Sequence, residues 1–219
     1  MKFQLKNLIL NQASLIKHIE RRMFLTYVNN YSLKADDLSV INFAFVADGW
    51  PVRLFSSIHL RKNVSLLSFY RARDVWTNFV REKNCILVGH SIDELYEIKR
   101  WADRSPDVNF TEYINGYDSL EVLEQKVRSI SIDDVDIIFF ALGQPKQEQL
   151  MNKLFDLEGK VSIVACGAHW LQEAGLTQAP SNFISNIGLF GVMRFWRNPK
   201  KLWNRTFGAL PYLFRNLKE

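Results

Sequence analysis

Long apolar runs are missing from this chain of 219 residues. Nothing approaches the roughly 18 to 20 uninterrupted apolar residues of a membrane-crossing helix, and the one apolar run near the start is broken by Asn11 and Gln12, so neither a span nor a cleavable leader is expected. Cysteine is scarce. Cys85 and Cys166 both fall in apolar, strand-like runs, which fits buried thiols in a reducing compartment rather than a bridge, and a cytoplasmic protein. Ten glycines and six prolines are too few for a collagen-like or low-complexity chain, and no short repeat runs through it. There is no G-x-G-x-x-G, no G-x-x-x-x-G-K-[ST] and no G-x-S-x-G, which removes the usual marks of dinucleotide binding, P-loop chemistry and serine hydrolysis. Four histidines (His18, His59, His90, His169) and two cysteines have no metal-ligand spacing, so neither a metal nor a cofactor is expected. Asp134-Val135-Asp136 spells an acidic pair of the kind that holds divalent ions. It stands directly before an apolar strand, on the edge of a sheet away from any ligand, and reads as the lead-in to that strand.

What remains is 47% hydrophobic, 13% aromatic and 23% charged, the make-up of a folded globular protein of about one domain with something to spare. The net charge of +5 is unevenly placed. Residues 188–219 hold seven basic side chains, among them Arg194, Arg197, Lys200, Lys201 and Arg205, against the single acid Glu219, leaving 21 basic and 22 acidic groups in residues 1–187. The chain therefore divides into a nearly neutral body, 1–187, and a basic appendage, 188–219. Nucleic acid is not the natural partner, because the cations are interleaved with Phe190, Phe195, Trp196, Trp203, Phe207, Tyr212 and Phe214. Such a mixture suits the headgroup layer of an anionic membrane. The same residues also fit a core face with a solvated cationic face, or a contact with a second copy of the chain.

From about Leu38, short β-rich runs alternate with helical stretches, as in a mostly parallel sheet covered by helices. Strands are expected at Val40–Val46, Cys85–Val88, Val108–Tyr113, Asp136–Leu142 and Val161–Cys166. Helices are expected at Arg73–Glu82, Ser91–Ala102, Ser119–Ser129 and Pro145–Leu157, with Ser91 and Glu94 forming a capping box. Before them, Leu15, Ile16, Ile19, Met23 and Phe24 have helical spacing and suggest a helix leading into a strand around Phe24–Val28. Helices rather than strands are expected after Gly175.

In such sheets ligands bind beyond the carboxyl ends of the strands. Two turns there could carry chemistry. Gly143-Gln144-Pro145-Lys146-Gln147-Glu148 follows a strand and opens a helix: Gly143 permits a tight turn and Pro145 suits the first helical position. Free amides and Lys146 would suit a phosphate, with Gln144, Gln147 and Glu148 available to a sugar or base; an ordinary surface helix start reads the same way. Asp48-Gly49-Trp50-Pro51 places an acid at the end of an apolar strand, beside Phe45, Val46 and Trp50, whose desolvation would raise its pKa towards that of a general base. A helix-capping Asp fits equally.

Taken together and in order, these turns resemble the WecG/TagA/CpsF glycosyltransferases (glycosyltransferase family twenty-six), which share an Asp-Gly-x-Pro turn, a strand ending in Gly-x-Pro-Lys-Gln-Glu and a basic carboxyl-terminal segment. Weaker matches fall in the same order: Val28-Asn29, Arg71 and Asp74, Gly116-Tyr117, Gly167 to Gly175, Ala179-Pro180, and Gly188-Leu189 through Arg194 to Arg205. The resemblance implies a Rossmann-like enzyme of the GT-E type, an inverting, metal-independent hexosyltransferase. It would move N-acetylmannosamine or a related sugar from a UDP donor to a polyprenyl-diphosphate-linked sugar at the inner membrane face. Asp48 would be the base, with Asn29, Gly49, Arg71, Asp74, Gly116, Tyr117, Gly143 to Glu148 and Gly167 around the substrates. Arg194, Arg197, Lys200, Lys201 and Arg205 would meet the lipid diphosphate and membrane. The chain departs from the family at Leu171, where many relatives have Asp, and at Arg73, Gln178 and Phe190-Gly191. Those departures leave the donor sugar and acceptor open, and a non-catalytic sugar-nucleotide or lipid-binding subunit stands as the alternative. A nicotinamide oxidoreductase is disfavoured by the missing glycine fingerprint.

Overall fold

Runs such as Phe24–Val28 (FLTYV) and Ile137–Ala141 (IIFFA) are apolar at almost every position, which suits strands covered on both faces. In the computed structural model, which describes residues 2–28, 40–41, 43–65, 67, 69, 72–105, 107–177, 212 and 217–218, they are the middle of a sheet. The strands are β1 (Lys2–Gln4), β2 (Leu8–Ile9), β3 (Phe24–Val28), β4 (Val40–Ile41), β5 (Ala44–Ala47), β6 (Asn84–Gly89), β7 (Asn109–Ile114), β8 (Ile137–Ala141), β9 (Ser162–Ala165) and β10 (Leu217–Lys218). The helices are α1 (Gln12–Glu20), α2 (Trp50–Leu60), α3 (Arg73–Val80), α4 (Ile92–Ala102), α5 (Leu120–Arg128), α6 (Lys146–Lys153) and α7 (His169–Glu173).

Seven strands form one sheet in the order β2-β5-β3-β9-β8-β6-β7, and every pairing is parallel. A second, three-stranded parallel sheet, β10-β1-β4, joins the two ends of the chain. Side chains alternate across the main sheet, so Ile138 and Phe140 face one core and Ile137 and Phe139 the other. The first core is closed by α2, α5 and α6, the second by α1, α3, α4 and α7. This is the α/β, Rossmann-like arrangement expected.

Connectivity places the crevice. After β6 the chain runs outward through α4 to β7 on one face, and after β8 it runs back through α6 to β9 on the other. The two helices leave neighbouring strands in opposite directions, the connectivity at which ligands of such sheets bind beyond the carboxyl ends. The Ser91 and Glu94 capping box is present at the start of α4, satisfying two backbone amides that would otherwise lack partners.

Several boundaries differ from expectation. The run Val40–Val46 is not one strand: Val40–Ile41 pairs with β1 in the small sheet and Ala44–Ala47 with β2 and β3 in the large one. Both pieces are apolar, so periodicity gives no sign of the change of sheet. The expected Pro145–Leu157 helix is α6 followed by a short 3-10 turn at Phe155–Leu157. Gly167 to Gly175, read as a turn, contains α7. Asp136 stands at the amino end of β8, accepting from the Asn84 amide at 3.1 Å with Lys83 and Arg22 nearby, on the edge opposite the crevice. Cys85 and Cys166 are buried, free thiols. Among the described residues no helix is long and apolar enough to cross a membrane.

Candidate functional site

Because all seven strands run the same way, their carboxyl ends share one edge. Asp48 follows β5 there, and its amide continues the ladder by donating to Val28 O at 2.8 Å. Alternation therefore holds through Asp48: Tyr27 pairs with Val46, and Asp48, two residues on, falls on the same face as the Tyr27 ring. Burial lifts the Tyr27 hydroxyl well above the usual phenol range, and the nearby Asp48 carboxylate and Cys166 thiol add to it, against a hydrogen bond that Tyr27 accepts from Trp76 Nε1 at 2.8 Å. Beneath them Phe69 stacks on Trp76, centroids 4.6 Å apart, and lies 4.0 Å from the His169 ring. The base expected from the sequence thus stands near Tyr27, whose ring packs against Phe69 at 5.4 Å.

Three strand positions along the edge, the turn after β8 carries Gly143 to Glu148. At about 4.8 Å per strand this is roughly 14 Å from the end of β5, so an extended ligand rather than a direct contact would join the two. Gly143 has φ +74° and a Cβ there would meet no atom within 4 Å. The same holds for Gly167 after β9, at φ +56°. Both turns use the left-handed conformation that glycine adopts without cost, and both border open space.

Behind Gly143 lies a buried polar knot. Glu148 is 0% exposed, and its Oε1 accepts from Thr26 Oγ1 at 2.7 Å, Gln144 Nε2 at 2.9 Å and Gln147 Nε2 at 2.9 Å. Burial pushes the Glu148 carboxyl upward, and these three bonds oppose the shift. Its Oε2 and the Gln147 Oε1 are buried without partners among the described residues. Gln147 and Glu148 are therefore set inside the fold, and what they offer a ligand is indirect. Gln144 Nε2 also donates to Tyr27 O at 2.8 Å, tying this turn to β3 and, through Val28, to Asp48.

Lys146 reaches away from Asp48. Its ammonium donates to Gly116 O at 2.8 Å and Asp118 O at 2.5 Å, clamping the turn after β7 to the start of α6. Gly116 is held tightly as well: a Cβ there would stand 2.6 Å from Gly89 Cα, and one at Gly89 would stand 2.5 Å from Ala141 O. The ends of β6, β7 and β8 thus meet backbone to backbone. Directly after β6, His90, at φ +61°, is buried with its Nε2 unpartnered among the described residues, and burial lowers its pKa against the raising effect of Glu94.

Of the other expected residues, Gly49 caps α2, Tyr117 is 77% exposed, and Asp74 is exposed in the first turn of α3, where a carboxylate favours the helix dipole. Asn29, Arg71, Arg194, Arg197, Lys200, Lys201 and Arg205 lie outside the described residues. Sequence reasoning missed Thr26, Tyr27 and Trp76. Thr26 had a readable signal, a lone polar residue inside an apolar strand, which has to find a buried partner. A separate cavity of about 210 Å³ lies on the flank of the sheet, lined by Trp76, Trp101, Asp107, His169 and Trp170 among others. Among the described residues no three His, Cys, Asp or Glu side chains gather closely enough for a metal ion.

No curated protein matches the chain. The model of the family described as glycosyl transferase WecG/TagA/CpsF matches residues 36–219, from before β4 to the last residue, and so takes in Asp48, the Gly143 to Glu148 turn and the basic segment together. With the parallel Rossmann-like sheet and both turns on its carboxyl edge, the chain belongs to the WecG/TagA/CpsF family of glycosyl transferases.

Proposed function

We propose that this protein is an inverting, metal-independent hexosyltransferase of cell-surface polysaccharide synthesis. It takes N-acetylmannosamine or a related sugar from a UDP donor and passes it to a polyprenyl-diphosphate-linked sugar, at the inner face of the cytoplasmic membrane. The observation that carries the reading is the placement of Asp48 as the residue that ends the β5 ladder beside Tyr27, on the edge that also carries the open glycine turns. Asp48 takes the proton of the acceptor hydroxyl. The freed oxygen lone pair attacks the anomeric carbon from the face opposite the diphosphate, the carbon–oxygen bond to the diphosphate breaks, and UDP departs with that electron pair. One displacement inverts the anomeric centre. Amides at the start of α6 and the open turns at Gly143 and Gly167 give the departing diphosphate a place to lie. Residues 188–219, with Arg194, Arg197, Lys200, Lys201 and Arg205, bring the protein to the lipid-linked acceptor.

Asp48→Asn tests this directly. With a short-chain polyprenyl-diphosphate acceptor, kcat should fall by at least a hundredfold while donor affinity and melting temperature stay close to wild type, since general-base catalysis contributes about 10² to 10⁴. An unchanged kcat removes Asp48 as the base. Tight donor binding by the wild type with neither transfer nor donor hydrolysis would instead favour the non-catalytic subunit, a reading consistent with Leu171 being packed in the core where relatives carry Asp.

A further inference from the structure

Gln144 has one amide nitrogen with two protons, and both point into the protein: one goes to Tyr27 O at 2.8 Å and the other to Glu148 Oε1 at 2.9 Å. The amide cannot turn over. Reversed, its carbonyl oxygen would face the Tyr27 carbonyl, which has no proton to give, and a carboxyl oxygen already accepting from Thr26 and Gln147. The orientation therefore holds whether or not Glu148 is protonated. What remains is the Gln144 Oε1, which is neither buried nor partnered among the described residues. Beside it the chain offers the exposed Gly143, with empty space where a side chain would be, and Pro145, which has no amide proton. Among the described residues this point presents an acceptor and no side-chain donor.

Gln144 is also anchored on the Asp48 side of the site. Tyr27, whose carbonyl it holds, precedes Val28, whose carbonyl receives the Asp48 amide. A group meeting Gln144 Oε1 is thus nearer the reacting centre than the far end of a nucleotide. We infer that Gln144 is a specificity-determining residue, whose fixed carbonyl oxygen accepts from a hydroxyl or acetamido N–H of the transferred sugar and disfavours a sugar that carries a carboxylate there. The inference rests on the reading of this edge as a nucleotide-sugar site and narrows it to donors of neutral sugars.

Calorimetric titration of the full chain with UDP, UDP-N-acetylmannosamine and UDP-glucuronic acid tests it. Wild type should bind the neutral sugar nucleotide about tenfold or more tightly than the uronate, the effect of one made against one opposed hydrogen bond. Gln144→Leu should lose about tenfold for UDP-N-acetylmannosamine with UDP affinity unchanged within twofold. Gln144→Lys keeps inward N–H donors for Tyr27 and Glu148 while replacing the acceptor, so it should reverse the preference towards the uronate even if the leucine variant fails to fold. Unaltered sugar preference in the lysine variant, or equal losses for UDP and UDP-sugar in the leucine variant, overturns the inference and leaves the nucleotide-sugar reading standing. Failure of wild type to bind any of the three nucleotides overturns both.

Discussion

Glu148 is the residue on which most of the candidate site's order converges, since one carboxyl oxygen gathers Thr26 from β3, Gln147 from α6 and Gln144 from the turn between β8 and α6. Its burial raises the folded-state pKa, so between the ordinary carboxylate range and that raised value the native state holds a proton that the unfolded chain has released. Stability from this group is full below the unfolded pKa and is lost as pH rises through the folded one. Urea unfolding should therefore give a wild type that weakens as pH rises above the ordinary carboxylate range and a Glu148→Gln variant that weakens less over the same interval. Parallel curves would mean that Glu148 is ionised in the fold. The Gly-x-Pro-Lys-Gln-Glu string was visible in the sequence, but not its division of labour. Chain spacing does not tell that Glu148 turns inward, that Lys146 is held by Gly116 and Asp118, and that Gln144 keeps its Oε1 outside the buried knot.

Among the elements, the tightest joint is where β6, β7 and β8 end. Gly116→Ala would set a methyl group 2.6 Å from Gly89 Cα and 2.9 Å from a Leu142 methyl, a backbone contact that cannot relax by rotamer change. The variant should lose about 1 to 3 kcal/mol of unfolding free energy in denaturant titration; a loss under about 0.5 kcal/mol would show that the β7 turn shifts freely. Strands with an apolar run and a polar turn after them (β6, β7, β8, β9) were readable within a residue or two, as were α4 and α5 from their caps, while α1 was readable as a helix without its bounds. The pieces that were not, β1, β2, β4, β10 and α7, are two to five residues long, and β10 is a strand in the region where helices rather than strands were expected. They exist because the rest of the fold supplies their partners: β2 by lying along β5, α7 by packing Trp170 against Phe110 and Phe139. No local signal encodes such partners.

For the molecule as a whole, the described residues near the carboxyl terminus are tied to the rest of the fold, since Tyr212 packs against the first core and Leu217–Lys218 pairs with β1. Changing the charges of the basic segment tests membrane contact more cleanly than removing it. Replacing Lys200, Lys201 and Arg205 with Gln should weaken sedimentation with anionic vesicles by about 3 kcal/mol, on the order of a hundredfold, at about 1 kcal/mol for each cation. Equal sedimentation would return these residues to the surface of a purely protein fold. The order of the strands has a consequence for how the chain is made. β9 lies between β3 and β8 and is bonded to both, yet it is the last of the seven to be translated. Until about residue 165 has left the ribosome, the β2-β5-β3 and β8-β6-β7 ribbons have open inner edges and nothing to join them, so a chain stalled before that point would be two sticky fragments rather than a partial enzyme.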